Sequence, residues 1–141
     1  MAVAVVGLAG SGCGGDSKEG LSPVSAPATL CRAKAPGKAL PSGFPRDLPL
    51  PPGLIVVQTD ARSGQRIVIE GVTERPFRET LRSLQRQLPA AGYRLEKGEV
   101  EPRDAESNFT GRRFTGRWGI RVVPGCTGRT SVSFVVQPAS G

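Results

Sequence analysis

The segment PFRETLRSLQRQLPAA, residues Pro76–Ala91, carries the strongest helical pattern of the sequence and determines how the rest can fold. Its large apolar side chains recur at helical spacing, which puts them on one face of an α-helix. They are Phe77, Leu81, Leu84 and Leu88. Charged and amide side chains lie on the opposite side. Such a helix needs an apolar surface to cover, and strand-like stretches lie on both sides of it in the chain.

Two strands are predicted before the helix and further strands after it. Leu54–Ala61 and Arg66–Thr73 are rich in β-branched residues, and a turn containing Gly64 joins them into a hairpin. After the helix, a third strand is predicted over Tyr93–Pro102, and Asp104–Thr110 leads to a fourth, with Phe109 facing inward. Apolar and polar residues alternate over Arg117–Val123, and a last strand is predicted over Thr130–Gln137.

These patterns predict one α+β domain over residues 44–141. Its order is β-β-α-β-β-β, with a mostly antiparallel sheet covered on one face by the helix. The proline-rich FPRDLPLPPG, residues 44–53, should form an extended lead-in whose Leu48 and Leu50 cover the edge of the core. Pro89 should kink or end the helix after Leu88, and Gly92 should provide its left-handed exit.

The first residues, MAVAVVGLAGSGCGGDS, are apolar and rich in small side chains. The run 1–12 is too short to span a membrane but has the length of a signal h-region. A GxGxxG spacing at Gly10, Gly12 and Gly15 would need a helix to open there, and the polar, proline-containing continuation does not predict one. Residues 1–12 are therefore predicted to be a signal segment. Residues 13–43, rich in Gly, Ser, Pro and Ala, are predicted to be a flexible tether.

This pattern of small residues before Cys13 resembles a bacterial lipoprotein signal, in which the cysteine becomes the lipidated first residue of the mature protein. The chain resembles the small lipid-anchored proteins of high-GC Gram-positive bacteria, many of which have no assigned function. Gly10 stands where such signals usually have Leu, and no basic residue precedes the apolar run, which predicts a translation start upstream of Met1. The resemblance implies lipidation of Cys13 and attachment to the extracytoplasmic side of the cell membrane.

Export changes the interpretation of the other cysteines. Outside the cytoplasm Cys31 and Cys126 can form a disulfide. If Cys13 is lipidated, these two cysteines remain, and an even number can pair completely. The alternative is two unpaired thiols, buried or on the surface.

The residue types present restrict catalysis. The chain has no His, and a serine nucleophile would therefore need one of its few Lys residues as the base. A group of acidic residues could hydrolyse glycosides or bind calcium. A glycosidase needs a sugar cleft, normally lined with aromatic residues, and the chain has one Trp and one Tyr. The acidic residues do not have the EF-hand spacing of a calcium site. This group consists of Glu96, Glu99, Glu101, Asp104 and Glu106. We therefore predict no enzymatic activity, no metal site and no cofactor.

A net charge of +7 and a pI near 10.2 raise the question of anionic partners. Arginines gather around the late hairpins and are interleaved with aromatic residues. The predicted anion-binding patch consists of Arg112, Arg113, Arg117, Arg121 and Arg129. Export favours anionic lipid or wall polymer over nucleic acid as its partner. An ordinary solvated face is the commoner explanation of such a group of arginines.

Together these features predict a non-catalytic binding or scaffolding module of the cell envelope, held at the membrane by its lipid anchor. Its candidate partners are anionic lipid, a cell-wall polymer or another envelope protein, and not nucleic acid. The alternative is a carrier of a small apolar or amphiphilic ligand, held between the helix and the sheet near Leu81, Leu84 and the Trp118 strand.

Overall fold

The computed structural model of the chain describes residues 25–141. Two α-helices lie within this range, α1 (Pro27–Arg32) and α2 (Phe77–Ala90), and a short 3-10 turn, Ser63–Gln65, joins the first two strands. The strands are β1 (Ile55–Arg62), β2 (Arg66–Thr73), β3 (Arg94–Leu95), β4 (Glu99–Val100), β5 (Asp104–Thr110), β6 (Phe114–Val122) and β7 (Thr130–Pro138). The predicted α+β class is confirmed, as is the β1–β2 hairpin, whose turn contains Gly64 at φ 72°.

All strands join one antiparallel sheet in the order β1-β2-β7-β6-β5-β3, and β4 also pairs with β5. The last strand of the chain is therefore central, between β2 and β6. Because β7 occupies the place beside β2, the chain after β2 must reach the far edge of the sheet. Helix α2 makes this crossing over one face and contacts β6 and β3.

The predicted number of strands is too low, since the order contains five and the sheet has seven. Asp104–Thr110 is a strand of its own, and the third predicted strand is divided into β3 and β4. The division occurs where Gly98 passes so close to β5 that an added Cβ would collide with the Glu106 carbonyl oxygen. In addition, Ser107 Oγ donates a hydrogen bond to the Glu96 carbonyl oxygen at 2.7 Å in place of regular pairing.

Helix α2 packs on the sheet through the side chains expected from its spacing. Phe77, Leu84 and Leu88 are buried, whereas Leu81 is only partly buried at the rim of the core. The other core members on this face are Ile67, Ile69, Ala105, Phe109, Trp118, Ile120, Val132, Phe134 and Val136. Phe44 and Leu48 from the lead-in complete the core, as predicted for Leu48, and Leu50 packs against it.

The prediction that Pro89 ends the helix after Leu88 is wrong, because Pro89 lies inside the last turn of α2. The helix ends at a Schellman motif instead, with Ala91 as the C-cap. Tyr93 N donates to the Leu88 carbonyl oxygen at 3.0 Å, and Gly92 N donates to that of Pro89 at 3.0 Å. Gly92 has a φ of 89°, which confirms its predicted left-handed conformation.

Helix α1 covers one end of the opposite face of the sheet. Part of the predicted flexible tether is therefore folded. Residues 13–43 were predicted to be flexible, but Leu30 of α1 is 3% exposed and packs with Ile55, Val72 and Val123. The main-chain N of Lys38 also donates to the Val56 carbonyl oxygen at 2.7 Å. The folded region therefore begins before residue 44, and the signal segment and residues 13–24 lie outside the described residues.

Candidate functional site

Helix α1 is fastened to the sheet next to the β6–β7 turn. Cys31 of α1 and Cys126 of that turn lie at disulfide distance, with their Cα atoms 5.7 Å apart. Their side chains pack against the small cluster formed by Leu30, Ile55, Val72 and Val123. The predicted pair therefore meets in space across 95 residues of sequence. Cys13, the predicted lipidation site, lies outside the described residues.

Arg129 holds the end of α1 as well, although the sequence analysis assigned it to an anion-binding patch. Its Nη1 donates to the carbonyl oxygens of Leu30 at 2.8 Å and Ala33 at 2.9 Å. Its Nη2 donates to Glu74 Oε1 at 2.8 Å. Since the side chain is only 17% exposed, its guanidinium is committed to the fold rather than offered to a ligand.

Two more arginines of the predicted patch pair with carboxylates across the β5–β6 ladder. Arg117 is opposite Asn108 and forms a salt bridge with the adjacent Glu106. Arg121 is directly opposite Asp104, and its Nε lies 2.6 Å from the carboxylate. These pairs occupy the face of the sheet opposite α2. They neutralise both the arginines and two of the carboxylates considered as catalytic candidates.

The remaining pair, Arg112 and Arg113, is exposed in the β5–β6 turn. The guanidinium of Arg113 lies 5.6 Å from the centre of the Phe114 ring. This turn is at the opposite end of β6 from Arg121 and Arg129, and a strand of that length spans roughly 25 Å. The structure therefore does not bring the five arginines together into one cationic patch.

A different group of cations does lie together, at the outer edge of β1. A groove of about 580 Å³ is formed by α1, the loop after it and the start of β1. Arg32, Lys34 and Lys38 line it, and all three are exposed. Its apolar lining comes from Ala33, Pro36, Ile55, Val56 and Val57. We call this feature the basic groove.

The shape of the basic groove depends on close contact between the α1 loop and β1. Besides the bond from Lys38 N to Val56, Gly37 lies so near that an added Cβ would be 2.6 Å from the Val56 backbone N and O atoms. No carboxylate is among the described residues that line the groove, and its cations form no ion pair within residues 25–141. Sequence analysis missed the site because the composition of residues 13–43 predicted a tether.

The open face of the sheet carries a smaller polar depression of about 310 Å³. Arg66, Asn108 and Gln137 contribute to its lining, and Arg66 Nε donates to Gln137 Oε1 at 3.2 Å. Glu96 also lines it and accepts a hydrogen bond from Thr110 Oγ1 at 3.1 Å. Three of its polar side chains, Arg66, Glu96 and Gln137, therefore already have hydrogen-bond partners.

The space proposed for a carrier lies between α2 and the sheet. Leu84 is 0% and Trp118 is 2% exposed, so the side chains at this position are buried. Depressions of about 580, 590, 400 and 310 Å³ lie on the surface of residues 25–141, and none of these four is lined by Leu81, Leu84 or Trp118.

Searches of residues 25–141 found neither a cluster of three or more metal-ligating side chains nor a helix long and apolar enough to cross a membrane. Comparisons of the chain with protein-family models, curated proteins and solved structures found no match.

Proposed function

We propose that this protein is a lipid-anchored, non-catalytic binding module on the extracytoplasmic side of the cell membrane. The observation that carries the proposal is the arrangement of the three cysteines. Cys31 and Cys126 lie at disulfide distance, and disulfides are characteristic of exported proteins. Cys13, the remaining cysteine, follows the short apolar run and small residues that are typical of a lipoprotein signal.

The non-catalytic part of the proposal is supported by the residues available for chemistry. The chain has no His, and Asp104 and Glu106 are engaged by arginines. Binding is the better use of a rigid sheet with an open polar face and a basic groove at its edge. The carrier function has less support, because Leu84 and Trp118 are buried and none of the four depressions described above is lined by them.

The proposal is tested in the native host by introducing the Cys13→Ser substitution into the chromosomal gene. The unchanged protein should fractionate with membranes and be accessible to protease on intact cells without their wall. The Cys13→Ser protein should lack the acyl chains, and mass spectrometry of the isolated protein reports their loss. A Gly12→Ala variant, which keeps the small residue before the cysteine, is the matched control and should remain with the membrane. Cytosolic location of the unchanged protein would overturn the proposal.

A further inference from the structure

We infer that the basic groove binds the headgroup of an anionic phospholipid in the membrane to which the protein is attached. This inference rests on the proposed lipid anchor, and it assigns a partner to residues that the sequence analysis placed in a featureless tether. The phosphate is held by Arg32, Lys34 and Lys38, and the glycerol and first acyl carbons contact Ala33, Pro36 and Val57, the apolar lining residues that are not buried.

The lining of the groove matches both halves of such a lipid. Its three cations are exposed and surround a partly apolar floor without a described carboxylate among them. Arginine can form paired hydrogen bonds to a phosphate, and the lysines add compact charges. A volume of about 580 Å³ is enough for a headgroup with a short length of acyl chain.

The position of the groove supports the membrane as the source of the ligand. Ser25, the first described residue, comes shortly before α1, and the chain leaves the end of α1 along the groove. Only 11 residues, 14–24, lie between Cys13 and Ser25. The Gly/Ser/Pro-rich tether predicted from their composition would have a root-mean-square span of roughly 20 Å over this length. Lipidation of Cys13 would therefore keep the groove close to lipid headgroups at high local concentration.

The exposed arginines of α2 provide a stringent comparison. Arg78, Arg82 and Arg86 also carry three positive charges on one element. They belong to a solvated helix face, and none of them lines the basic groove. If attraction to an anionic membrane depended only on net charge, removing either set would weaken binding equally.

The experiment uses the processed chain expected from the proposed function, residues 13–141 with Cys13→Ser, so that the anchor cannot contribute. Binding is measured by flotation with phosphatidylcholine vesicles, with or without about 30% phosphatidylglycerol to supply anionic headgroups. The groove variant carries Arg32→Gln, Lys34→Gln and Lys38→Gln. The control variant carries Arg78→Gln, Arg82→Gln and Arg86→Gln, and circular dichroism establishes that all three proteins are folded.

The parent protein should bind the phosphatidylglycerol vesicles and not those of phosphatidylcholine alone. Each headgroup cation contributes roughly fivefold, so the groove variant should bind about 100-fold more weakly, while the control variant should stay within about threefold of the parent. Equal losses in the two variants would show delocalised attraction and overturn the inference. Failure of the parent protein to bind the phosphatidylglycerol vesicles would also overturn the inference. The proposed lipid anchor is tested separately, by acylation of Cys13 in cells, and it would stand if that acylation were found.

Competition distinguishes a lipid from a soluble phosphate. A short-chain phosphatidylglycerol below its micelle concentration should displace the protein from vesicles at least about tenfold more effectively than glycerol phosphate, because only the lipid reaches the apolar floor. Equal displacement by the two would mean that the groove recognises phosphate alone, as in a wall polymer, and would overturn the assignment to a membrane lipid. Val57→Ser should reduce the advantage of the short-chain lipid without changing competition by glycerol phosphate.

Discussion

Arg129 shows how a single cation can join three parts of this fold. Its guanidinium contacts the carbonyl oxygens at the end of α1 and the Glu74 carboxylate that precedes α2. Helix α1 has only six residues and no side-chain N-cap, so it is too short to be stable alone. Its stability depends on Arg129, on burial of Leu30 and on the neighbouring cysteine pair.

Replacement of this residue by another cation should therefore be destabilising. Arg129→Lys keeps the charge but loses the planar fork that reaches three acceptors, and we expect a loss of about 1–3 kcal/mol in the free energy of unfolding. Urea denaturation measures the change. Arg112→Lys, at an exposed turn position, is the matched control and should change stability by less than about 0.5 kcal/mol. Equal effects of the two substitutions would contradict the structural role of Arg129.

The side chain of Tyr93 shows how burial changes the pKa of an ionisable group in this protein. Its side chain is 4% exposed, its hydroxyl donates to Asp47 Oδ1 at 3.1 Å, and its ring meets Phe109 edge to face. Burial, followed by the hydrogen bond to Asp47, raises the pKa of Tyr93 from 10.0 to about 12. Both effects favour the neutral phenol in the folded protein.

Since Tyr93 is the only tyrosine, near-ultraviolet absorbance follows its ionisation alone. We expect a midpoint near 12 rather than 10.0 in the folded protein. Because the folded pKa is raised, its contribution to stability is complete below pH 10.0 and is lost as the pH rises towards about 12. Tyr93→Phe should remove this alkaline loss. A midpoint near that of a free tyrosine, with the fold intact by circular dichroism, would contradict the burial and bonding of this hydroxyl.

At the scale of single elements, α2 separates what local sequence determines from what packing determines. The spacing of Phe77, Leu84 and Leu88 correctly predicted the buried face, and Gly92 correctly predicted the exit. Pro89 was misjudged because the Schellman bonds to the Leu88 and Pro89 carbonyl oxygens stabilise a last turn that continues past it.

Substitution of Gly92 tests this helix end. Gly92→Ala puts a Cβ on a residue at φ 89°, while the space around it is open, so the cost should come from the backbone conformation alone. We expect a loss of about 1 kcal/mol in thermal or urea denaturation. Gly141→Ala, at a position that is also open but has no positive φ, should be neutral. A neutral Gly92→Ala would contradict the left-handed exit.

At the scale of the whole molecule, hydrophobic patterns predicted the class of fold but not its topology. Alternation identified the inward residues of the last strand, Val132, Phe134 and Val136, and it located β2 correctly. It could not reveal that β7 inserts between β2 and β6, because strand order depends on long-range pairing. The same limit applies to the basic groove, since composition alone does not show that residues 25–43 pack on β1.

The cysteine pair would be a covalent link across 95 residues, and its reduction should be costly. A closed loop of 95 residues restricts the unfolded chain by roughly 4–5 kcal/mol in the chain-entropy model, so reduction should lower the melting temperature markedly. The double variant Cys31→Ser/Cys126→Ser should melt near the reduced protein and be insensitive to reductant. An unchanged melting temperature after verified reduction would contradict a stabilising disulfide.

We propose that the chain is exported, anchored through Cys13 and closed by a disulfide between Cys31 and Cys126. Mass spectrometry of the protein extracted from the native membrane, after alkylation without reduction, tests all three parts together. The account predicts a chain that begins at an acylated Cys13, with Cys31 and Cys126 linked and no thiol alkylated. A protein that retains the segment before Cys13, lacks acyl chains and has three alkylated cysteines would contradict it.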